Sequence, residues 1–381
     1  MIVYILMLLI SILFIFISTK VKKKWAKIIC YILSGLPFFL VSALRYDVGT
    51  DYLRRYDYDY NRISQGIDVK NLEIGFKLIV RFCLLFTQES YLLFIVVSAI
   101  TIGSIMYIII KKSKNPILSL TIFLLAGFFF DSLNIVRQYL AISLVILGYP
   151  FLLENNKKIL LFIPFVIVAG LMHSTAFIML ILLVLNQKML ANWKWVIPTA
   201  ILILILNENL LNILGFFIQN TRFSVYLTGK FAQGDVSYLF IAENLLIYLF
   251  MYYIYSKNKK LNNVQKEDIL FLNIQALALL VMVLGSCHML FIRIALYFSV
   301  FQIISIPYYI SKMPNEQIVE DISKITKNKI NLKKIENKLP KYVTIIIVLC
   351  FIFAFTRTNI LTNTNEVLPY KTILNKEISI E

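Results

Sequence analysis

Long apolar segments constrain the fold of this chain more than any other feature of its sequence. Several windows of roughly 15–20 residues carry almost no charge, and a helix of about 20 apolar residues crosses a hydrocarbon core of about 30 Å. The windows lack the alternating pattern of strands, and lipid offers open backbone groups no hydrogen-bond partner, so they must be helices. Hydrophobic residues make up 59% of the chain and charged residues 15%. The sequence therefore predicts an all-α polytopic membrane protein.

Clusters of lysine predict which face of the membrane each connection occupies. A net charge of +17 would suggest a nucleic-acid partner in a soluble protein, but in a membrane protein lysine-rich loops mark the cytoplasmic side. We therefore expect no nucleic acid among the partners, and we expect both termini to be external. The segments predicted to be cytoplasmic are 20–27, 111–114, 153–158, 257–266 and 312–341.

These orientations predict one transmembrane domain over residues 1–381, with about ten full crossings. External loops are expected at 45–71 and 208–237, and a cytoplasmic loop at 312–341. The crossings are predicted at 1–18, 28–44, 91–110, 116–130, 134–153, 195–207, 238–256, 268–286, 291–311 and 342–356.

Two further apolar segments do not fit as full crossings. Segment 72–88 carries Glu73, Lys77 and Arg81 at four-residue spacing, which places a charged stripe along an otherwise apolar helix and favours an interfacial position. Segment 159–186 holds two short apolar halves around His173. It is predicted to form a broken or re-entrant pair that lines protein or water.

The arginines are sorted differently from the lysines. No arginine lies in a predicted cytoplasmic loop, whereas Arg137 and Arg293 lie just inside the outer ends of spans. Guanidinium groups grip phosphates and carboxylates through two parallel hydrogen bonds, so this sorting points to an anion held at the external face. The alternative is pairing with external aspartates, in which Arg54, Arg55, Asp57 and Asp59 balance one another in water. For Arg137 the nearest candidate partner is Asp131. The remaining arginines expected near that face are Arg45, Arg54, Arg55, Arg62, Arg222 and Arg357.

Few other residues carry a recognisable chemistry. His173 is either a satisfied structural group or a functional one, and His288 is expected to be a solvated loop residue. Asp47 and Asp51 are four residues apart, but Gly49 between them favours a turn over a shared helical face, so a metal site is the minority interpretation. The scattered cysteines show no metal-binding or disulfide spacing. We therefore expect neither a metal nor a cofactor.

Five short motifs, taken in order, resemble those of the EpsG family, the Wzy-like polymerases of bacterial exopolysaccharide and capsule. The first is similar to R-x-x-x-G-x-D-x-x-x-Y and is formed by Arg45, Gly49, Asp51 and Tyr56, with four residues instead of three before the tyrosine. The others are Glu73-Ile74-Gly75-Phe76, Asn134-Ile135-Val136-Arg137-Gln138, Leu171-Met172-His173-Ser174-Thr175-Ala176 and Arg293-Ile294-Ala295-Leu296-Tyr297-Phe298.

The resemblance implies a metal-independent membrane glycosyltransferase in the bacterial cytoplasmic membrane. It would move a growing glycan from undecaprenyl diphosphate onto a new undecaprenyl-diphosphate-linked oligosaccharide at the external face, alongside other assembly proteins of the capsule or exopolysaccharide. Two alternatives stay open. A flippase or exporter of the lipid-linked oligosaccharide would show pseudo-symmetric halves, and a membrane acyltransferase would use His173 near a cytoplasmic donor.

Under the polymerase interpretation each motif residue has an expected role. Arg45, Arg137 and Arg293 would bind the diphosphate, and His173 or Asp51 would act as the base, with His173 preferred because neutral imidazole exists at pH 7. The residues expected to contact or shape the substrate site are Gly49, Tyr52, Tyr56, Gln138 and Tyr297.

Overall fold

The computed structural model describes residues 1–70, 72–154, 156–186, 188–206, 216, 238–326 and 335–375. The predicted external loop 208–237, with Arg222, therefore lies outside the described residues apart from position 216. Part of the predicted cytoplasmic loop, 327–334, lies outside them as well.

The regular structure of the described residues is helical, which confirms the all-α polytopic fold. Among these residues, seven helices are long and apolar enough to cross a membrane, and two bent pairs bring the number to as many as nine. The predicted crossing 195–207 is instead a helix of 13 residues, Trp193–Ile205, shorter than the roughly 20 residues that a full crossing needs. The predicted interfacial segment forms the 11-residue helix Ile74–Leu84, which is also too short to span.

By their internal contacts the residues form two compact units, Met1–Met179 with Thr344–Glu381, and Leu180–Val343. The single domain expected over 1–381 stays a prediction. In the first unit the helices are α1 (Ile2–Lys20), α2 (Lys24–Ala43), α3 (Tyr58–Ser64), α4 (Ile74–Leu84), α5 (Tyr91–Lys112), α6 (Pro116–Leu125), α7 (Phe128–Asn134), α8 (Val136–Gly148) and α9 (Phe162–Met172). In the second they are α10 (Leu182–Leu185), α11 (Trp193–Ile205), α12 (Tyr238–Lys260), α13 (Lys266–Leu284), α14 (Met289–Ser299), α15 (Gln302–Ser311) and α16 (Asn315–Thr326). The division falls inside α17 (Leu339–Phe355).

The predicted break around His173 is confirmed. Helix α9 ends at Met172, His173 is extended with φ −154° and ψ 114°, and a 3₁₀ segment follows over Ser174–Ile181. The helix that the sequence expects to run from 116 to 130 also breaks, because Gly127 takes φ +81° and α6 and α7 meet at 53°. Such a φ is open mainly to glycine. Both breaks place polar groups at the ends of short helices.

Aromatic side chains build the core behind the first motif. Tyr52, Tyr56 and Tyr60 are spaced four residues apart along the wide turn Tyr52–Asp57 and α3. All three rings are buried in one cluster with Phe76 and Phe94. Tyr52 stacks on Phe94 with ring centroids 4.0 Å apart. Stacking of Tyr52 and Tyr56 on sugar rings stays a prediction, and in this structure both rings pack against protein.

Residues 363–373, which we call the C-terminal strap, lie along the first motif. The Tyr46 amide donates to the Lys371 carbonyl at 3.0 Å, and the Ile373 amide donates to the Leu44 carbonyl at 2.9 Å. The Gly49 amide donates to the Glu366 carbonyl at 3.2 Å. The strap also reaches α1, where the Tyr4 hydroxyl donates to the Val367 carbonyl. The motif loop is thus held from the far end of the chain.

Gly75 sets the distance between α4 and the end of α9. A Cβ atom at this position would lie 2.7 Å from the Leu171 carbonyl oxygen and 2.8 Å from Met172 Cε, closer than van der Waals contact allows. The absence of a side chain therefore lets the start of α4 approach the start of the His173 segment. This approach brings Glu73 beside His173.

Replacing Gly75→Ala should separate these two helix ends and lower the thermal midpoint of the purified protein, because overpacking costs about 1–3 kcal/mol. Gly103→Ala in α5 is the matched control, since a Cβ there meets nothing within 4 Å and alanine is the better helix former. Fluorescence-detected gel filtration after heating measures both variants. Equal midpoints for the two would contradict the packing argument.

Candidate site at Glu73, Arg137 and His173

Glu73 and Arg137 form an ion pair across the first unit. Glu73 lies immediately before α4, and Arg137 lies in the first turn of α8. Arg137 Nη1 donates to Glu73 Oε2 at 2.6 Å, and the two side chains are 11% and 10% exposed. Asp131 is the candidate expected to neutralise Arg137, and this expectation is wrong. Asp131 instead accepts hydrogen bonds from Asn365 and Tyr139.

The second oxygen of Glu73 faces the break at the end of α9. Its Oε1 accepts from the Ser174 backbone amide at 3.3 Å and from the Ser174 hydroxyl at 3.4 Å. His173 Nδ1 lies 3.4 Å from the same oxygen. One carboxylate thus holds an arginine from α8 and an imidazole and a hydroxyl from the break after α9. The sequence showed each motif but not that they meet at Glu73.

The charge of Glu73 is fixed by these neighbours. Burial raises the pKa of the Glu73 carboxyl, but the contact with His173 and the charge of Arg137 outweigh burial and lower that pKa to about 2. Glu73 is therefore ionised at neutral pH and acts as a permanent counter-charge rather than as a proton carrier. Opposite charges at close range favour the ionised form in this way.

Arg137 keeps donor capacity beyond its pair with Glu73. Its backbone amide donates to the Tyr56 hydroxyl at 3.4 Å, which ties α8 to the motif turn. Among the described residues, its guanidinium makes one hydrogen bond, through Nη1. A guanidinium carries five N–H donors. Arg137 is thus a fixed cation that can still bind a second anion.

Gly49 and Asp51 meet the end of α7. Gly49 takes φ +99°, and a Cβ there would lie 2.7 Å from the Leu133 carbonyl oxygen, so the predicted turn requires glycine on both counts. The Asp51 amide donates to Asn134 Oδ1 at 3.2 Å, and the Thr50 hydroxyl donates to the same oxygen. This turn fixes Asp51 relative to the short segment that also carries Arg137.

Arg45 occupies a different position from Arg137. Its side chain is buried, and its two Nη atoms donate to the carbonyls of Ser42 and Leu133. The guanidinium lies over the Phe94 ring at 4.8 Å, and burial lowers its pKa to about 10, so it stays charged at neutral pH. Diphosphate binding by Arg45 stays a prediction. The contacts observed give it a structural role that joins α2 to α7.

Among the other charges of the first motif, Asp59 is less exposed than expected. Arg55 pairs with Asp59 at 3.6 Å, as the pairing alternative predicts. Arg54 instead pairs with Glu366 of the C-terminal strap at 3.6 Å. However, Asp59 is only 8% exposed. Burial raises the pKa of its carboxyl, opposed by the charges of Arg55 and Arg137. The expectation that Asp59 balances its neighbours in water is therefore wrong.

The second unit carries the last motif. Arg293 lies on the half-exposed side of α14, whereas Tyr297 is buried. His288 is buried and caps α14, accepting the Leu290 amide through Nδ1 at 3.0 Å, so the expectation of a solvated loop residue is wrong. In the first unit, Gln138 of α8 is also buried.

A buried amide cluster lies deeper in the second unit. Gln302 Nε2 donates to Asn244 Oδ1 at 3.0 Å and to Gln275 Oε1 at 3.2 Å. The Ser299 hydroxyl lies 3.4 Å from Asn244 Oδ1. The cluster joins α12, α13, α14 and α15 without charge, and it holds the helix that presents Arg293.

Residues 27–372 match the model of the EpsG family. The chain belongs to the EpsG family. No curated protein and no solved structure matches it. The EpsG match contains Glu73, Arg137, His173 and Arg293 and continues through most of the C-terminal strap. Family membership points to a polysaccharide polymerase-like role.

Removing the charge of Glu73 should lower the free energy of unfolding more than breaking an exposed ion pair does. Glu73→Gln leaves Arg137 buried without its counter-ion, at a cost of about 3 kcal/mol. Arg137→Gln should cost a similar amount, and the double variant should cost less than the sum. Asp68→Asn, which breaks an exposed pair with Lys77, is the control and should leave stability unchanged. Additive losses in thermal unfolding would contradict direct coupling.

Acid should weaken the Glu73 contacts. Because the pKa of Glu73 in the folded protein is about 2 and its ordinary value is 4.5, its contribution is fully present above about pH 4.5 and is lost as pH falls towards about 2. The thermal midpoint of the wild type should therefore fall more steeply over this range than that of Glu73→Gln. Parallel curves for the two proteins would overturn the assignment of the lowered pKa to Glu73.

Proposed function

We propose that this EpsG protein polymerises polysaccharide repeat units carried on undecaprenyl diphosphate, at the external face of the bacterial cytoplasmic membrane. The observation that carries the proposal is the position of Arg137, a fixed cation whose guanidinium has N–H donors beyond the one bonded to Glu73. It lies at the start of a membrane-spanning helix, where an arginine is costly unless it is paired or used. Its partner Glu73 fixes its position and also contacts His173.

The reaction transfers the growing glycan to a new lipid-linked unit. The bond between the anomeric carbon of the growing chain and its diphosphate breaks, and the electron pair leaves with the diphosphate. A hydroxyl oxygen of the incoming unit forms the new glycosidic bond and gives its proton to a base. Negative charge therefore develops on the diphosphate, where positioned guanidinium groups stabilise it. Arg137 is assigned this role in the first unit and Arg293 in the second.

His173 is the preferred base, and Glu73 orients it. A carboxylate close to Nδ1 favours the tautomer with its proton on Nδ1, which leaves Nε2 as the proton acceptor. Glu73 then stabilises the imidazolium as it forms. Asp51 is the second choice, held by its amide against Asn134. This mechanism supplies charge stabilisation through arginine, and we assign no metal or cofactor to it.

The remaining residues are assigned supporting roles. Gln138 follows Arg137, and Tyr297 lies one turn beyond Arg293, so both are proposed to shape the substrate site. Gly49 permits the turn that positions Asp51. Tyr52 and Tyr56 are proposed to face sugar when substrate binds. Arg45 is proposed to add positive potential from its buried position.

Arg137→Lys tests the proposal, because lysine keeps the charge but loses the planar fork. Elongation of a lipid-linked repeat unit by purified protein in liposomes should fall roughly 100-fold or more at equal levels of folded protein. His173→Gln should reduce elongation as well. Arg81→Lys on the exposed side of α4 is the matched control and should elongate normally.

If Arg137→Lys elongated the lipid-linked unit at the wild-type rate, the proposed role of this arginine would be refuted. If the wild-type protein moved the lipid-linked unit across the bilayer without lengthening it, the transport alternative would replace the polymerase.

A further inference from the structure

Asn134 connects Arg137, which the proposed reaction uses, to Asp51, the second candidate for its base. It ends α7, three residues before Arg137. Its Oδ1 accepts hydrogen bonds from the Asp51 amide and the Thr50 hydroxyl. It therefore holds the Asp51 turn against the segment that begins Arg137's helix. The sequence singled out this asparagine as part of a motif without giving it a task.

The other end of Asn134 is held by the C-terminal strap. Asn134 Nδ2 donates to Asn365 Oδ1 at 3.1 Å, and Asn365 Nδ2 donates to Asp131 Oδ1 at 3.0 Å. Each amide uses its oxygen as an acceptor and its nitrogen as a donor. If either side-chain amide were rotated by about 180°, its nitrogen would face a donor and its oxygen would face an acceptor. Asp131, which can only accept when ionised, therefore fixes the orientation of Asn365, and Asn365 fixes that of Asn134.

The strap reaches the same turn by a second route. The Glu366 carbonyl accepts the Gly49 amide at 3.2 Å, so neighbouring strap residues hold the turn through its backbone and through Asn134. Further along the strap, Lys371 Nζ lies 3.4 Å from Asp47 Oδ2. The family match runs to residue 372 and so includes Asn365 and Glu366.

We propose that the C-terminal strap is a working part of the substrate site, with Asn365 as a positioning residue that acts through Asn134. The chain Asp131–Asn365–Asn134 sets the placement of Asp51 relative to Arg137. Reacting groups lose rate steeply when they are displaced by about 1 Å, so the strap governs the rate of transfer rather than only the stability of the loop. This inference rests on the proposed function, because elongation is the activity that it modulates.

Asn365→Ala is the first test. Its kcat for elongation should fall about tenfold or more through misplacement of Asp51 and Arg137, with a smaller change in KM, measured per folded protein. Hydrogen–deuterium exchange should speed up in peptides that cover residues 46–56, because the Asp51 amide loses its fixed acceptor. Thr364→Ala is the matched control, since its hydroxyl bonds to the Thr358 carbonyl and not to the relay. It should match the wild type in both measurements.

A reciprocal swap separates positioning from general damage. Asn365→Asp alone sets two carboxylates against each other and should behave like Asn365→Ala. Combining it with Asp131→Asn reverses one hydrogen bond of the relay, since the new amide at 131 donates to the new carboxylate at 365. The double variant should regain at least half of the wild-type kcat and the slow exchange of the turn.

The outcomes are distinct from those for the proposed function. Unchanged exchange over 46–56 in Asn365→Ala would overturn the relay, even if the wild type made no polymer. Faster exchange with wild-type kcat would overturn the positioning role and leave the strap purely structural. Failure of the swap to restore kcat would also overturn it. A wild type without elongation, but with the expected exchange changes, would count against the polymerase and not against the relay.

Discussion

A charge in a poorly hydrated region must be matched by another, and the first unit is organised around that requirement. Arg137 begins a membrane-spanning helix, and Glu73 compensates it at 2.6 Å. Gly75 lets α4 meet the end of α9, and this approach brings the same carboxylate beside His173. Removing one partner of such a pair costs far more than the pair contributes net. The packing of α4, α8 and α9 and the chemistry of the site therefore depend on the same contact.

The same contact explains the broken helices. A continuous helix over 159–186 would satisfy its own backbone and leave no open amide near Glu73. The break at His173 releases the Ser174 amide, which then donates to Glu73 Oε1. In the membrane, such irregular backbone is tolerated only where protein or water meets it. The local loss of helix is thus compensated by a polar centre built from three chain segments.

The sequence predicted the fold well because helix length and loop charge are local properties. Apolar windows located most helices, and spacing revealed the break at His173. It could not predict that Glu73 pairs with Arg137, since the two are 64 positions apart and their meeting depends on packing. For the same reason Asp59 and His288 looked solvated, because burial is set by neighbours that hydropathy does not identify. The amide orientations of Asn134 and Asn365 had no sequence signal.

The C-terminal strap also bears on how the protein folds and fails. Its contacts close very long loops, because Tyr4 and Val367 are 363 positions apart and Val41 and Tyr370 are 329 positions apart. Contacts of this separation form late, because loop closure comes before any gain from them. The membrane helices hold their own backbone hydrogen bonds, whereas the strap is held mainly by contacts to other segments. Mild heating should therefore release the strap while the helices persist, so that the protein becomes inactive in a state that still looks folded by helical content.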